Sequence, residues 1–322
     1  MRVIRTVTGD VPPETLGITA PHEHLYCDQR LCHPLVDFPS LQPPCVLDTP
    51  ELVLEELNSF YAAGGRAIAE MTVGGWGREV NILRELSSHS GVRIVATSGF
   101  YVRTCHPEFV AHLSIDELSE ILVRELTHGA DGTDIRTGAL KSAISRPTVE
   151  GLERKCARAV ARAQKRTGAC IMTHSAAACR FEVAGGNVGM QLLDLFETEG
   201  VNPARVIIGH VDSNVDVRQL IALAGRGAFV EFDLIGRTER LLDETRVDLL
   251  CRLVDMGCEN HLLLSTDICR LSDLAIRGGR GYSYVLLNFV PRLRNAGFDD
   301  KLLHQILVDN PARALPMESN AQ

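Results

Sequence analysis

No stretch of this 322-residue chain reaches the roughly 18 uninterrupted apolar residues that a membrane-spanning helix needs, so no membrane partner is expected. The opening segment, Met1-Arg-Val-Ile-Arg-Thr-Val-Thr-Gly-Asp10, has neither a long apolar core nor a small-residue cleavage site, which argues against a secretory leader. Cys-x-x-Cys pairs are missing among the ten cysteines, and Cys156, Cys170, Cys251 and Cys258 fall inside apolar or helical patterns. Reduced, mostly buried thiols in a cytoplasmic protein are therefore expected, rather than a disulfide framework. Clusters of basic residues are absent and the net charge is −8, which disfavours nucleic acid or an acidic membrane surface as a partner. Linkers and low-complexity segments are lacking too, so residues 1–322 are expected to form one domain.

What the chain does have is repetition. Residues 2 to about 16 form a hairpin-like lead-in turning at Gly9-Asp10. After it, short β-rich runs alternate with amphipathic helical patterns eight times. The strands are expected to end at His24 and to cover 66–72, 92–100, 137–145, 169–175, 205–212, 228–235 and 261–267. The helices are expected over 50–63, 77–89, 114–128, 148–167, 188–199, 215–224, 245–256 and 282–295. A capping box, Ser114-x-x-Glu117, opens the third helix. A further C-terminal helical stretch starts at Asp299, with Asn310 and Pro311 expected as an N-cap and first-turn pair. Alternation of this kind implies parallel strands with helices outside. No Gly-x-Gly-x-x-Gly follows the first strand, which favours a closed α/β (β/α)₈ TIM barrel over a doubly wound sheet.

In such a barrel the chemistry sits at the carboxyl ends of the strands. The first strand finishes on His22 and His24, two apart and so on one face. The fifth ends at His174, the sixth at His210 and the eighth at Asp267, and the fourth carries Lys141 in an otherwise apolar run. Singly, each has an ordinary structural explanation: a bonded core histidine, a loop cap, a buried lysine with a carboxylate partner. Polar groups inside strands are costly unless partnered, and five strands delivering one at the same end is hard to attribute to chance. Four histidines and an aspartate at one mouth match nitrogen and oxygen ligation of a zinc-like divalent ion. Cys27, Cys32 and Cys269 lie nearby, but the histidine and carboxylate supply already suffices. Tyr26, Tyr101 and Arg270 follow strands one, three and eight, where loops meet substrate. Asp212 is open between orienting a ligand and capping a loop, and Trp76 between stiffening a loop and lining the pocket. Glu23 points away from its histidine neighbours and is expected to be structural.

Pro21-His-Glu-His24, Gly138-Ala-Leu-Lys141, Thr173-His174, Gly209-His-Val-Asp212 and Ser265-Thr-Asp267, in this order, resemble the phosphotriesterase branch of the amidohydrolase superfamily. Gly278-Gly-Arg-Gly-Tyr282 and Asp309-Asn-Pro-Ala-Arg313 extend the resemblance to nearly the whole chain. It implies a binuclear metal-dependent hydrolase. His22, His24 and Asp267 would hold a buried ion, His174 and His210 an exposed one, and Lys141, carboxylated to N6-carboxylysine, would bridge them. A carbamate suits that place because it is anionic and bidentate, whereas an ammonium would be repelled by two cations. The resemblance further implies zinc, with manganese, cobalt or iron as alternatives, a homodimer, and Asp267 as the catalytic proton acceptor. Three loop arginines, Arg270, Arg277 and Arg280, point to a small polar or anionic substrate. Lactone or carboxylic-ester hydrolysis is expected first, amide hydrolysis second, and phosphotriester turnover as a side activity. A silent binding barrel or a mononuclear deaminase-like enzyme are the competing expectations.

Overall fold

Period-two alternation builds the centre of this protein. The computed structural model describes residues 2–32, 44–175, 187–213 and 216–318. Its main sheet has eight strands: β1 (Thr19–Glu23), β2 (Ala67–Glu70), β3 (Arg93–Phe100), β4 (Ala139–Ala143), β5 (Cys170–His174), β6 (Val206–Ile208), β7 (Phe229–Phe232) and β8 (Leu262–Leu264). They lie side by side in chain order, every hydrogen-bonded neighbour parallel. Ala139, Met172, Ile207, Phe229 and Leu263 pack together inside the barrel, while the intervening Leu140, Ile171, Ile208, Val230 and Leu264 belong to the layer under the helices. Continued two residues further, the inward rows pass from Ala139 to Lys141, from Met172 to His174, and from Phe229 to Glu231 and Asp233. One alternation thus sets an apolar plug below and polar groups above.

Eight helices surround the sheet: α1 (Pro50–Ala62), α2 (Val80–Ser90), α3 (Ile115–Thr127), α4 (Gly151–Thr167), α5 (Val188–Thr198), α6 (Val217–Gly225), α7 (Asp243–Asp255) and α8 (285–295). The capping box at Ser114 and Glu117 forms at both ends, with bonds of 2.7 and 3.2 Å. The lead-in strand Arg2–Thr6 pairs antiparallel with Gly9–Val11 and with the C-terminal Met317–Glu318. Its Ile4 packs among the apolar residues inside the barrel, with Ala67, Ala139, Cys170 and Phe229. Among the described residues no helix is long and apolar enough to cross a membrane.

Two expectations need correction. Asn310 is not an N-cap: its backbone is helical, and the helix runs into it through a wider π-helical turn, Gln305–Asp309. The same widening, Val285–Phe289, precedes Pro291 in α8. A proline ring crowds the carbonyl four residues back, and a wider turn relieves it. The Asn310 amide instead donates to the carbonyls of Glu259 and Leu262, each at 2.8 Å. Secondly, Cys32 and Cys105, 73 residues apart, are joined in a disulfide between the loops after β1 and β3. Reduced thiols therefore do not hold for this pair, which removes one ground for expecting a cytoplasmic setting.

The barrel is joined between β1 and β8. The Asp267 N–H donates to the His22 carbonyl at 3.2 Å, and the His24 N–H to that of Ile268 at 3.0 Å. Between these bonds the buried Glu23 carboxylate accepts from the Ser265 and Thr266 hydroxyls (both 2.7 Å) and the Thr266 and Ile268 N–H groups (both 2.8 Å). Glu23→Gln places an amide donor among four donors, and we expect a loss of about 1–3 kcal/mol of stability, measured by urea unfolding. An unchanged midpoint would show that the seam does not depend on this carboxylate.

Candidate metal centre

Joining β1 to β8 brings His22, His24 and Asp267 together. Asp267 Oδ1 lies 3.5 Å from His24 Nε2 and 4.0 Å from His22 Nε2. Ligand atoms about 2.1 Å from a tetrahedral zinc stand about 3.4 Å apart, so the spacing suits one ion. His22 Nε2 is buried and has no hydrogen-bond partner among the described residues. A buried polar atom left in that state asks for a ligand. Facing these groups, His174 Nδ1 and His210 Nε2 point at each other across 2.6 Å. His174 is the more exposed of the two. Lys141, fully buried, hydrogen-bonds the Met71 carbonyl at 2.7 Å, and its charge bears on His24 and His174.

Carboxylates behind the histidines decide which nitrogens are available. His22 Nδ1 lies 2.9 Å from both Glu231 and Asp233, and His210 Nδ1 lies 2.7 Å from Asp233. Ionised carboxylates only accept, so both Nδ1 atoms carry hydrogen and both Nε2 atoms face the mouth. The grouping of His22, His210 and Asp233 is therefore better understood as a hydrogen-bonded support than as a second ion site. Burial opposes a charge on His22, yet Asp233 and Glu231 outweigh it and push its pKa well above the ordinary value, so an ion bound at Nε2 would displace a proton there. Burial holds His24 down to about 3 and His174 well below its ordinary value, which keeps both as neutral imidazoles, the ligand form. At Asp267 burial disfavours ionisation, but the adjacent Arg237 and His24 hold its carboxyl well below the usual range.

Backbone strain gathers at the same place. His210 (φ 57°) and Asp267 (φ 50°) adopt left-handed conformations that cost a non-glycine residue about 1–2 kcal/mol. Asp233 secures the first by accepting the His210 N–H as well as its ring, and Gly209 leaves the room for that carboxylate.

Comparison with known proteins supplies the family. The phosphotriesterase family model matches residues 2–315. The chain belongs to the phosphotriesterase family. It is 33% identical to the phosphotriesterase homology protein of Escherichia coli strain K12, covering 92% of this chain and 97% of that one. It is 31% identical to the N-acetyltaurine hydrolase of Mus musculus, covering 97% of both. The solved structure of the Escherichia coli protein, with phosphate in its active site, superposes with a TM-score of 0.85 over 93% of this chain and 99% of that one, at 33% identity. A lactonase from Listeria monocytogenes superposes with a TM-score of 0.86 at 28% identity, over 98% of this chain and all of the other.

Among phosphotriesterase-family features expected from sequence, the six ligand candidates converge on one mouth. Tyr101 is buried, with its hydroxyl 3.3 Å from His174 Nε2 and its ring stacked on Trp76 at 4.2 Å. Trp76 in turn lies edge-on to His24 at 4.4 Å, so the two aromatics pack against the candidate ligands His24 and His174. Tyr26 is half-buried, and the charges acting on it come from Glu79, Asp48, Asp28 and Arg30, none of them at the mouth. Arg270 sits against Cys269 and Asp273. Asp212 does not touch the His210 ring; it pairs with the buried Arg246 at 2.7 Å.

Four residues at the site escaped the sequence reading. Glu231 and Asp233 stand two apart in the buried run Phe229-Val-Glu-Phe-Asp233, a signal equal to that of His22 and His24. Glu70 accepts the N–H groups of Leu25 (3.3 Å) and Thr72 (3.1 Å), and burial pushes it up to about 7. The fourth, buried Arg237, bridges Asp267 Oδ2 at 3.2 Å and Cys269 Sγ at 3.4 Å. Asp233→Asn should weaken divalent-ion binding about 10- to 100-fold, read by metal analysis after dialysis. Asp212→Ala should leave that binding unchanged and cost about 3–5 kcal/mol of stability; the reverse pattern would exchange the two roles.

Proposed function

We propose that this phosphotriesterase-family protein hydrolyses a lactone or carboxylic ester of a small substrate that carries an anionic group. His22, His24 and Asp267 would hold one divalent ion and His174 and His210 another, with carboxylated Lys141 shared between them. A nitrogen and oxygen donor set of this kind suits zinc. Two such ions supply hydroxide near neutral pH and a Lewis acid for the carbonyl oxygen. The protein's own groups do the rest. Asp267 is held ionised beside Arg237 and receives the proton of the attacking water, to be passed to the leaving group. Asp233 holds both rings through Nδ1, so His22 and His210 present Nε2 to the mouth without turning, and His22 would release its Nε2 proton as the ion binds.

Lys141 takes up carbon dioxide through its neutral amine: a nitrogen–carbon bond forms, a proton leaves, and an anionic carbamate results. Burial lowers its pKa to about 8. Below that value the neutral fraction grows about tenfold per pH unit. At a fixed concentration of dissolved carbon dioxide, the rate of carbamate formation on metal-free protein should therefore rise about tenfold per unit from pH 6 to 8 and level off above, followed by ¹³C NMR of labelled carbon dioxide. A rate still climbing tenfold per unit at pH 10 would indicate an ordinary lysine amine.

The observation that carries the substrate class is a pair of arginines near Asp267, buried Arg237 and half-buried Arg280. The Nε atoms of Arg237 and Arg280 are buried without a partner among the described residues. They stand where the loops after β7 and β8 meet, and a planar anion satisfies such donors. A second reading, hydrolysis of an N-acyl amide bearing an acid group, is favoured by relatives named N-acetyltaurine hydrolase. A panel of lactones, N-acyl amides with and without a sulfonate or carboxylate, and phosphotriesters would separate these with the metal-loaded protein. Anionic substrates should lead, and Arg237→Met should raise their KM more than it lowers kcat. Preference for neutral triesters would overturn the assignment.

A further inference from the structure

The hydrolytic chemistry leaves unused a group of cysteines beside Asp267. Cys45 and Cys269 are 224 residues apart in sequence, yet their sulfurs lie 3.2 Å from one another. Both backbones are fixed. Cys45 exchanges two hydrogen bonds with Gln29, at 2.9 and 2.7 Å, next to the short ladder that pairs Cys27–Asp28 with Val46–Leu47. Cys269 donates its N–H to Asp273 at 3.2 Å. Cys27 closes the group from behind, its sulfur 3.5 Å from the Cys269 carbonyl. Arg237 holds Cys269 Sγ and the Asp267 carboxylate with the same Nη2 atom.

We propose that Cys45 and Cys269 form a modification site: a dithiol that a small peroxide converts into a disulfide tying the loop after β1 to the loop after β8. The step balances. Two thiols give up two electrons and two hydrogens to hydrogen peroxide, one sulfur–sulfur bond forms, the oxygen–oxygen bond breaks, and two waters leave. Disulfide sulfurs stand about 2.05 Å apart, so the pair must close by roughly 1 Å. That movement draws Cys269 from Arg237, and Asp267 is two residues away on the same strained backbone. Cys45 retains 9% exposure against 3% for Cys269, so the oxidant meets Cys45 first. The loop after β1 is already bonded to the loop after β3 through Cys32 and Cys105. A second bond would tie three loops around one mouth and slow turnover.

The cross-link stands apart from the hydrolytic reading, whereas the effect on turnover rests on it. Metal-loaded protein would be treated with hydrogen peroxide, digested without reductant and analysed by mass spectrometry. Turnover of its best substrate would be followed in parallel. A peptide linking Cys45 to Cys269 should appear as turnover falls several-fold, and dithiothreitol should reverse both. Cys45→Ser should keep its turnover under peroxide, and Cys32→Ser, which lacks the first bond, should respond as the unaltered chain does. Absence of the linked peptide overturns the proposal. Equal inactivation of Cys45→Ser overturns the link to turnover even if the peptide forms.

Discussion

The junction between the first and last barrel strands is the constraint on which the site depends. Until β1 meets β8, His22 and His24 belong to one end of the sheet and Asp267 to the other, more than two hundred residues away. Two backbone hydrogen bonds and the four donors gathered by Glu23 join them. Tyr282 adds its hydroxyl to the His24 carbonyl at 2.7 Å, tying the segment before α8 to the same seam. The seam and the candidate metal centre share residues, because the backbone that closes the sheet also carries His22, His24 and Asp267.

A second feature is the way charge is handled in a dry interior. Four carboxylates, Glu23, Glu70, Glu231 and Asp233, are fully buried within a few residues of the mouth. Each is engaged: Glu23 by the seam, Glu70 by Leu25 and Thr72, Glu231 and Asp233 by the histidines. Unpaired, any one of them would cost several kcal/mol. Paired, they orient imidazoles and absorb the strain at His210. Behind His24 and His174 stands a neutral layer, Trp76 and Tyr101, which keeps water from the Lys141 amine; that amine lies 5.2 and 5.0 Å from their ring centres. The low pKa of the lysine follows from this dryness.

Much of this was legible in the chain. The order of eight strands and eight helices followed from hydrophobic period, and His174, His210 and Lys141 were visible because a polar residue stood out at the end of an apolar run. Asp233 and Glu231 carry the same signature in the sequence, a polar pair two apart in a buried apolar run, but which histidines they meet depends on neighbouring strands. Arg237 had no signature at all: it lies in a loop, and only folding brings it to Asp267. Asp212, two residues from His210, was open between orienting a ligand and capping a loop, and only folding pairs it with Arg246. Cys32 and Cys105 bond because two loops meet, which spacing along the chain does not record. Asn310-Pro311 has the look of a helix start, and a widened turn lets the helix continue through it.

The chain alone determined the barrel and its polar end, because side-chain alternation is local and each strand carries its own record of which residues face inward. Tertiary structure decided the partners: which carboxylate holds which histidine, which arginine meets Asp267, and which sulfurs approach one another. Those pairings depend on distances between loops far apart in sequence, and no periodicity within a segment encodes them.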